Sequence, residues 1–263
     1  MKALLTDLAN EQAALDCLVA DIRDDQWSVM TPFSEWTVQD QVSHLAFFDG
    51  AAFLAMTDPQ AFQAQSATFP ADETVFDVTL DKGRRMAPAD LLAWWRRERD
   101  SLLGALGSRE AKDRIEWFGP PMSVRTLATA RLMETWAHGQ NIVDALDLKR
   151  PATARLRHIA QLGYITFGWS FFNRRLDPPD KLIRLELLAP GGDTWAWGPD
   201  AADETVRGPA EDFCLVVTQR RHPYDTGLEW SGPATEQWLL YAQAFAGPPT
   251  FGPRPGRFPR TRE

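Results

Sequence analysis

The segment Arg131-Leu-Met-Glu134-Thr-Trp-Ala-His138 sets a carboxylate and an imidazole four residues apart. On a helix that spacing stacks the two side chains one turn apart on the same face, where an oxygen and a nitrogen can converge on one metal ion. Such pairs are common on solvated helices, so a third donor decides whether the pair is a site. His44, in Trp36-Thr-Val-Gln-Asp-Gln-Val-Ser-His44-Leu, is the only histidine that precedes the pair. Two histidines and a glutamate suit a divalent first-row ion and leave coordination positions open to water or substrate. An ion held that way can activate a water, hold a thiolate or enolate, or polarise a carbonyl, and the residues alone do not choose among these. A carboxylate at the edge of an inward helix face also needs a partner once it is buried.

Several neighbours could serve these three. Gln41 and Asn141 fall one turn from a ligand and can address a substrate. Arg131, three residues before Glu134, can pair with that carboxylate or bind an acidic substrate. Asp49 and Asp144 read either as acceptors behind the ligands or as solvated helix surface. His158 and His222 stand without company and read as ordinary polar or satisfied core residues. Cys17 and Cys214 are far apart in apolar settings and read as two buried thiols, not a disulfide. The chain carries no Gly-rich nucleotide loop, no Ser-His-Asp order and no Cys-x-x-Cys motif.

The elements that would position these groups follow from periodicity. Apolar residues at Leu4, Leu8, Leu15, Leu18, Val19 and Ile22 predict an amphipathic helix over residues 2–23. Residues 27–36 read as a loop whose Trp27, Phe33 and Trp36 fold back onto the protein. Thr37 with Asp40 forms an imperfect capping box that opens a second helix over 38–56, carrying His44. Residues 57–87 are weakly patterned, with a turn over 69–73 and helix or irregular chain over 75–85. Pro88 opens a helix that closes at Gly107-Ser108. Ser123 caps the helix that holds Glu134 and His138, placing them inside a stable element. A fifth helix is expected over 153–175, with the domain boundary after residue 178, among Asp177-Pro-Pro-Asp180. Beyond it the period shifts to two: strands over 182–188, 194–198 and 204–208, then helices over 209–220 and 234–245. A Pro/Gly-rich tail follows, read as draped or disordered.

A net charge of -8 argues against a nucleic-acid backbone binder. Acidic residues close to the start argue against a signal peptide, and no apolar run approaches the ~18 residues of a membrane span, so a soluble cytoplasmic protein is expected. Eleven tryptophans suit either an aromatic-lined cavity or a thick core.

The segments Trp36-Thr-Val-Gln-Asp-Gln-Val-Ser-His44-Leu and Glu134-Thr-Trp-Ala-His138-Gly-Gln-Asn-Ile resemble Trp-Thr-x-x-Asp-x-x-x-His-Leu and Glu-x-x-x-His-x-x-Asp-Ile of the DinB-like metal-binding superfamily. The likeness is to its branch of mycothiol-dependent maleylpyruvate isomerases. It implies an up-down-down-up four-helix bundle over residues 1–178 followed by a small C-terminal α/β domain over 179–263. It also implies that His44, Glu134 and His138 hold zinc or another divalent ion (nickel, manganese or iron), with a low-molecular-weight thiol at an open position. Trp36, Gln41 and Arg131 are then assigned to the cofactor. Asn141, where that family usually has aspartate, and Arg220 or Arg221, the nearest match to an arginine that meets an acidic substrate, are assigned to catalysis. The expected protein is a monomeric or homodimeric isomerase or thiol transferase acting on a small acidic or electrophilic molecule. The alternative is a metal- or small-ligand-binding protein without turnover.

Overall fold

The computed structural model describes residues 1–33, 35–69 and 75–258, with the backbone alone for 75–77. The chain divides into two compact units, Met1–Lys149 and Arg150–Glu263.

In the first unit, α1 (Lys2–Ala20), α2 (Val38–Thr57), α5 (Pro88–Gly107) and α6 (Val124–Leu146) form a helical bundle. Two shorter helices, α3 (Pro59–Ala67) and α4 (Val75–Arg84), lie between α2 and α5 in sequence. Each long helix exists because its apolar stripe has somewhere to go: Leu15, Val19, Val42, Leu45, Leu91, Trp95 and Ile142 share one core. The starts are fixed by caps. The Thr37 hydroxyl accepts from the Asp40 amide while the Asp40 carboxylate accepts from the Thr37 amide, and the Ser123 hydroxyl accepts from the Thr126 amide. The first helix ends at Ala20, earlier than its apolar pattern suggests, and its Cys17 is exposed, correcting the expectation of a buried thiol. Its inner face also carries Asp16, which pairs with Arg96 at 2.6 Å and with Arg99, tying α1 to α5.

The segment 75–84 resolves into α4, packed on α2. Close approach depends on Gly83: a Cβ there would sit 2.2 Å from the Ser43 hydroxyl oxygen. The turn expected over 69–73 falls, from residue 70 on, outside the described residues. Between α5 and α6, β1 (Arg114–Ile115) and β2 (Met122–Ser123) make a two-stranded antiparallel pair.

The second unit begins with α7 (Leu156–Ile165) and α8 (Phe167–Phe172), which replace the single fifth helix expected. The expectation joins this segment to the bundle as an additional connecting helix; here it falls in the second unit, with the sheet. The reason is packing: α7 lies on α9 (Ala210–Val217), with Gly163 close enough that a Cβ would meet Val217 at 2.8 Å and Phe213 at 3.1 Å. The sheet has the order β4 (Thr194–Trp197), β3 (Ile183–Leu188), β5 (Glu204–Pro209), β6 (Glu229–Trp230). Ile183, Leu185 and Leu187 of β3 are buried in alternation, and the predicted β3–β4 hairpin pairs Leu187 with Trp195. The third expected strand pairs with β3 in parallel, and β6 adds an edge that the sequence did not announce. Helix α10 (Pro233–Tyr241) is capped by buried Glu204, whose carboxylate accepts from the Thr235 amide at 2.7 Å. The tail from Phe251 to Phe258 has no regular structure.

Candidate metal centre

Helices α2 and α6 bring His44, Glu134 and His138 together: one donor atom from each lies within 4.8 Å of the other two. A tetrahedral ion with bonds of about 2.0–2.2 Å separates its donors by roughly 3.4 Å, so small side-chain rotations suffice to close this set on a cation. Both imidazoles are buried, while Glu134 keeps 23% of its side chain exposed, giving the centre an open edge.

The hydrogen-bond network fixes which nitrogen of His138 faces inward. The Thr31 hydroxyl donates to the backbone carbonyl of Trp36 at 2.7 Å, so toward Gln41 it can only accept, and the Gln41 Nε2 amide donates to it at 2.9 Å. The Gln41 carbonyl oxygen therefore faces α6, where Asn141 Nδ2 donates to it at 3.0 Å and His138 Nδ1 lies 2.5 Å away. An amide oxygen only accepts, so His138 carries its proton on Nδ1. The other nitrogen, Nε2, is 3.1 Å from Glu134 Oε2. In neutral histidine that is a lone pair opposed to a carboxylate oxygen, an arrangement that needs a cation between them, proton or metal. Burial alone pushes the Glu134 carboxyl up. With a proton on Nε2 as that cation, the hydrogen bond from His138 and the charges of His138, His44 and Arg131 outweigh burial and bring the group down to about 2, so the carboxyl is anionic. The residues fit a divalent ion.

His44 is set from the other side. Its Nδ1 faces the Thr79 hydroxyl of α4 at 3.4 Å, and the Ser43 hydroxyl beside it donates to the Thr79 carbonyl at 2.9 Å. Trp36 covers both histidines, its ring 5.0 Å from His44 and 6.0 Å from His138, nearly parallel to the latter. Phe48, 4.6 Å from the His44 ring, continues the wall to Trp117 and Phe118. The tryptophans thus divide: Trp36 and Trp117 line the site's surroundings, whereas Trp27, Trp94 and Trp95 belong to the bundle core.

Gln41 and Asn141 meet at His138 as neighbours of a candidate ligand. Arg131 does not pair with Glu134; its Nε donates to Asp49 at 2.8 Å and the other Asp49 oxygen accepts from the Trp95 indole at 3.1 Å. Asp49 thus backs Arg131 and not a ligand, and Asp144 accepts from Gln140 at 2.8 Å. Arg220 and Arg221 belong to the second unit. Arg220 is buried and donates to the Thr218 carbonyl; the Arg221 guanidinium lies 4.1 Å from the Phe258 ring and borders a cavity of about 220 Å³ together with His222, Tyr241 and Phe251. His222 Nδ1 accepts from the Tyr224 amide, a local cap. Thr31 and Thr79 are the site neighbours that the sequence reading missed. Their partners lie 10 and 35 residues away, and neither belongs to a recognisable motif.

Residues 8–143 match the family model described as mycothiol maleylpyruvate isomerase N-terminal domain. The chain belongs to this family. It is 43% identical over 249 residues to the uncharacterized proteins MT0041 and Rv0036c of Mycobacterium tuberculosis, from strains CDC 1551 / Oshkosh and H37Rv; the alignments cover 94% of this chain and 97% of each relative. The fold resembles crystal structures of the mycothiol-dependent maleylpyruvate isomerase, with a TM-score of 0.59, and of a histidine-to-alanine mutant of it, with 0.58. Both comparisons cover 88% of this chain and 92% of the other, at 14% identity. No helix among the described residues is long and apolar enough to cross a membrane.

Proposed function

We propose that this protein is a divalent-metal-dependent enzyme that uses a low-molecular-weight thiol, of the mycothiol kind, to isomerise or transfer a small electrophilic or acidic molecule in the cytoplasm. The observation that carries the reading is the convergence of His44, Glu134 and His138, one donor atom from each within 4.8 Å of the others, with His138 Nε2 facing Glu134 Oε2 at 3.1 Å. Zinc is the ion we favour, since two imidazoles and one carboxylate with an open position are a donor set it takes readily. When bound, such an ion supplies Lewis acidity and lowers the pKa of a coordinated thiol or water.

The chain's own residues supply the rest. Gln41 orients His138, Thr79 faces the far side of His44, and Trp36 covers the two rings and keeps water from them. The exposed edge at Glu134 is the side from which a ligand can enter. Phe48, Trp117 and Phe118 offer an apolar wall to the body of a substrate. Asn141 is proposed to act through Gln41, and Arg220 or Arg221 to meet an acidic group of the substrate, the latter on the family resemblance alone.

The test is a turnover screen of zinc-loaded and metal-stripped protein with mycothiol, glutathione or cysteine against small electrophiles, maleylpyruvate among them. Thiol-dependent turnover that vanishes on stripping and returns with metal supports the proposal. Tight ligand binding without turnover on any pair would instead favour a sequestering protein.

A further inference from the structure

The group that accepts from His138 Nδ1 is uncharged. A metal-bound histidine commonly donates its second N–H to a carboxylate, a backbone carbonyl or a water, and a carboxylate there raises the basicity of the ligand and adds a negative charge beside the ion. Here the acceptor is the Gln41 amide oxygen, 2.5 Å from His138 Nδ1. Its orientation is held from two sides, by the Thr31 hydroxyl on its nitrogen and by Asn141 Nδ2 on its oxygen. Gln41 is fully buried, so this is a fixed element of the centre and not a surface contact. The nearby cation Arg131 is matched by Asp49. Counting formal charges, a divalent ion with Glu134 and two neutral imidazoles keeps one net positive charge. A carboxylate in place of the Gln41 amide would cancel it.

We infer that Gln41 is a positioning residue that also sets ligand preference: its neutral amide fixes the His138 tautomer while leaving the loaded centre cationic, so the open position favours an anionic donor such as a thiolate over a neutral one. The inference rests on the metal reading of His44, Glu134 and His138. It extends that reading by naming the residue that determines the charge of the centre. In the low-dielectric surroundings of a buried site, one added charge across an imidazole ring changes anion binding substantially.

The experiment uses the full chain loaded with cobalt(II), whose visible absorption reports coordination, titrated with azide as a simple anionic probe. Gln41→Glu should keep cobalt as tightly as wild type or more so, and bind azide on the order of tenfold more weakly. Gln41→Met, which removes the acceptor without adding charge, should weaken cobalt binding but leave the azide affinity of the cobalt-loaded fraction within about twofold of wild type. This separates charge from packing. Azide affinity unchanged or strengthened in Gln41→Glu would overturn the inference. So would loss of cobalt from that variant, because a carboxylate partner should strengthen the histidine ligand. Failure of the wild type itself to hold cobalt would bring down the metal reading underneath.

Discussion

The ion pair between Asp49 and Arg131 joins α2 and α6, the two helices that carry the candidate ligands, and removing half of it should be costly. Arg131 Nε and Asp49 Oδ1 are 2.8 Å apart, with 3% and 0% of their side chains exposed, and the second Asp49 oxygen accepts from the Trp95 indole. Asp49→Leu would leave a guanidinium and an indole N–H buried without their acceptor. An uncompensated buried charge costs about 3–5 kcal/mol, and we expect a loss of that size. The double variant Asp49→Leu/Arg131→Met removes the stranded charge and leaves mainly the Trp95 N–H unsatisfied, worth about 1–3 kcal/mol. The second substitution should therefore return about 2 kcal/mol, although it deletes one more native side chain. Urea unfolding of the metal-free proteins, followed by tryptophan fluorescence for the bundle, measures both. A single variant that loses less than about 1 kcal/mol, or a double variant no more stable than the single one, would refute this account of how α2 and α6 are held together.

Three further outcomes follow from the same contacts. Gly83→Ala forces α4 away from Ser43 and carries Thr79 from His44; metal affinity, measured by competition with a chelating dye, should fall by about tenfold. Trp36→Ala opens the cover over both histidines and should cost about 3–5 kcal/mol together with weaker metal binding; unchanged stability and affinity would show the ring to be dispensable. Burial pushes the Asp16 carboxyl up, but Arg96 and Arg99 more than offset this and hold it below its ordinary range. Its folded-state pKa is therefore depressed, so its contribution to stability is present above the unfolded value of about 3.9 and is lost as pH falls through the folded one. Urea midpoints of wild type and Asp16→Asn should differ at neutral pH and converge at low pH.

What could be read from the sequence was local. The Thr37–Asp40 box and the Ser123 cap mark helix starts through contacts three residues apart, and Glu134 and His138 share a face through the helical repeat alone. His44 could be offered as the third donor from residue type and the scarcity of histidine, and the family motif strengthened it, because periodicity cannot say which helices face each other. The residues that tune the site were less legible for the same reason. Gln41 reaches His138 across 97 residues, and Arg131 finds Asp49 across 82 in preference to Glu134 three residues away. The packing of helix α4 on α2 was not legible because it depends on one absent Cβ at Gly83, a tertiary fact. The α7 segment carries an apolar face that any core could accept, and the close approach of Gly163 to Val217 places it with the sheet.

The central claim is that His44, Glu134 and His138 hold one divalent ion. Elemental analysis of the purified full chain, as isolated and after reconstitution with zinc, tests it most directly beside folded His44→Ala and Glu134→Ala variants. The account predicts one equivalent of metal in the wild type and a large loss in each variant with the helical content kept. A wild type that holds no metal even after reconstitution, or variants that bind it as well as the wild type, would contradict it.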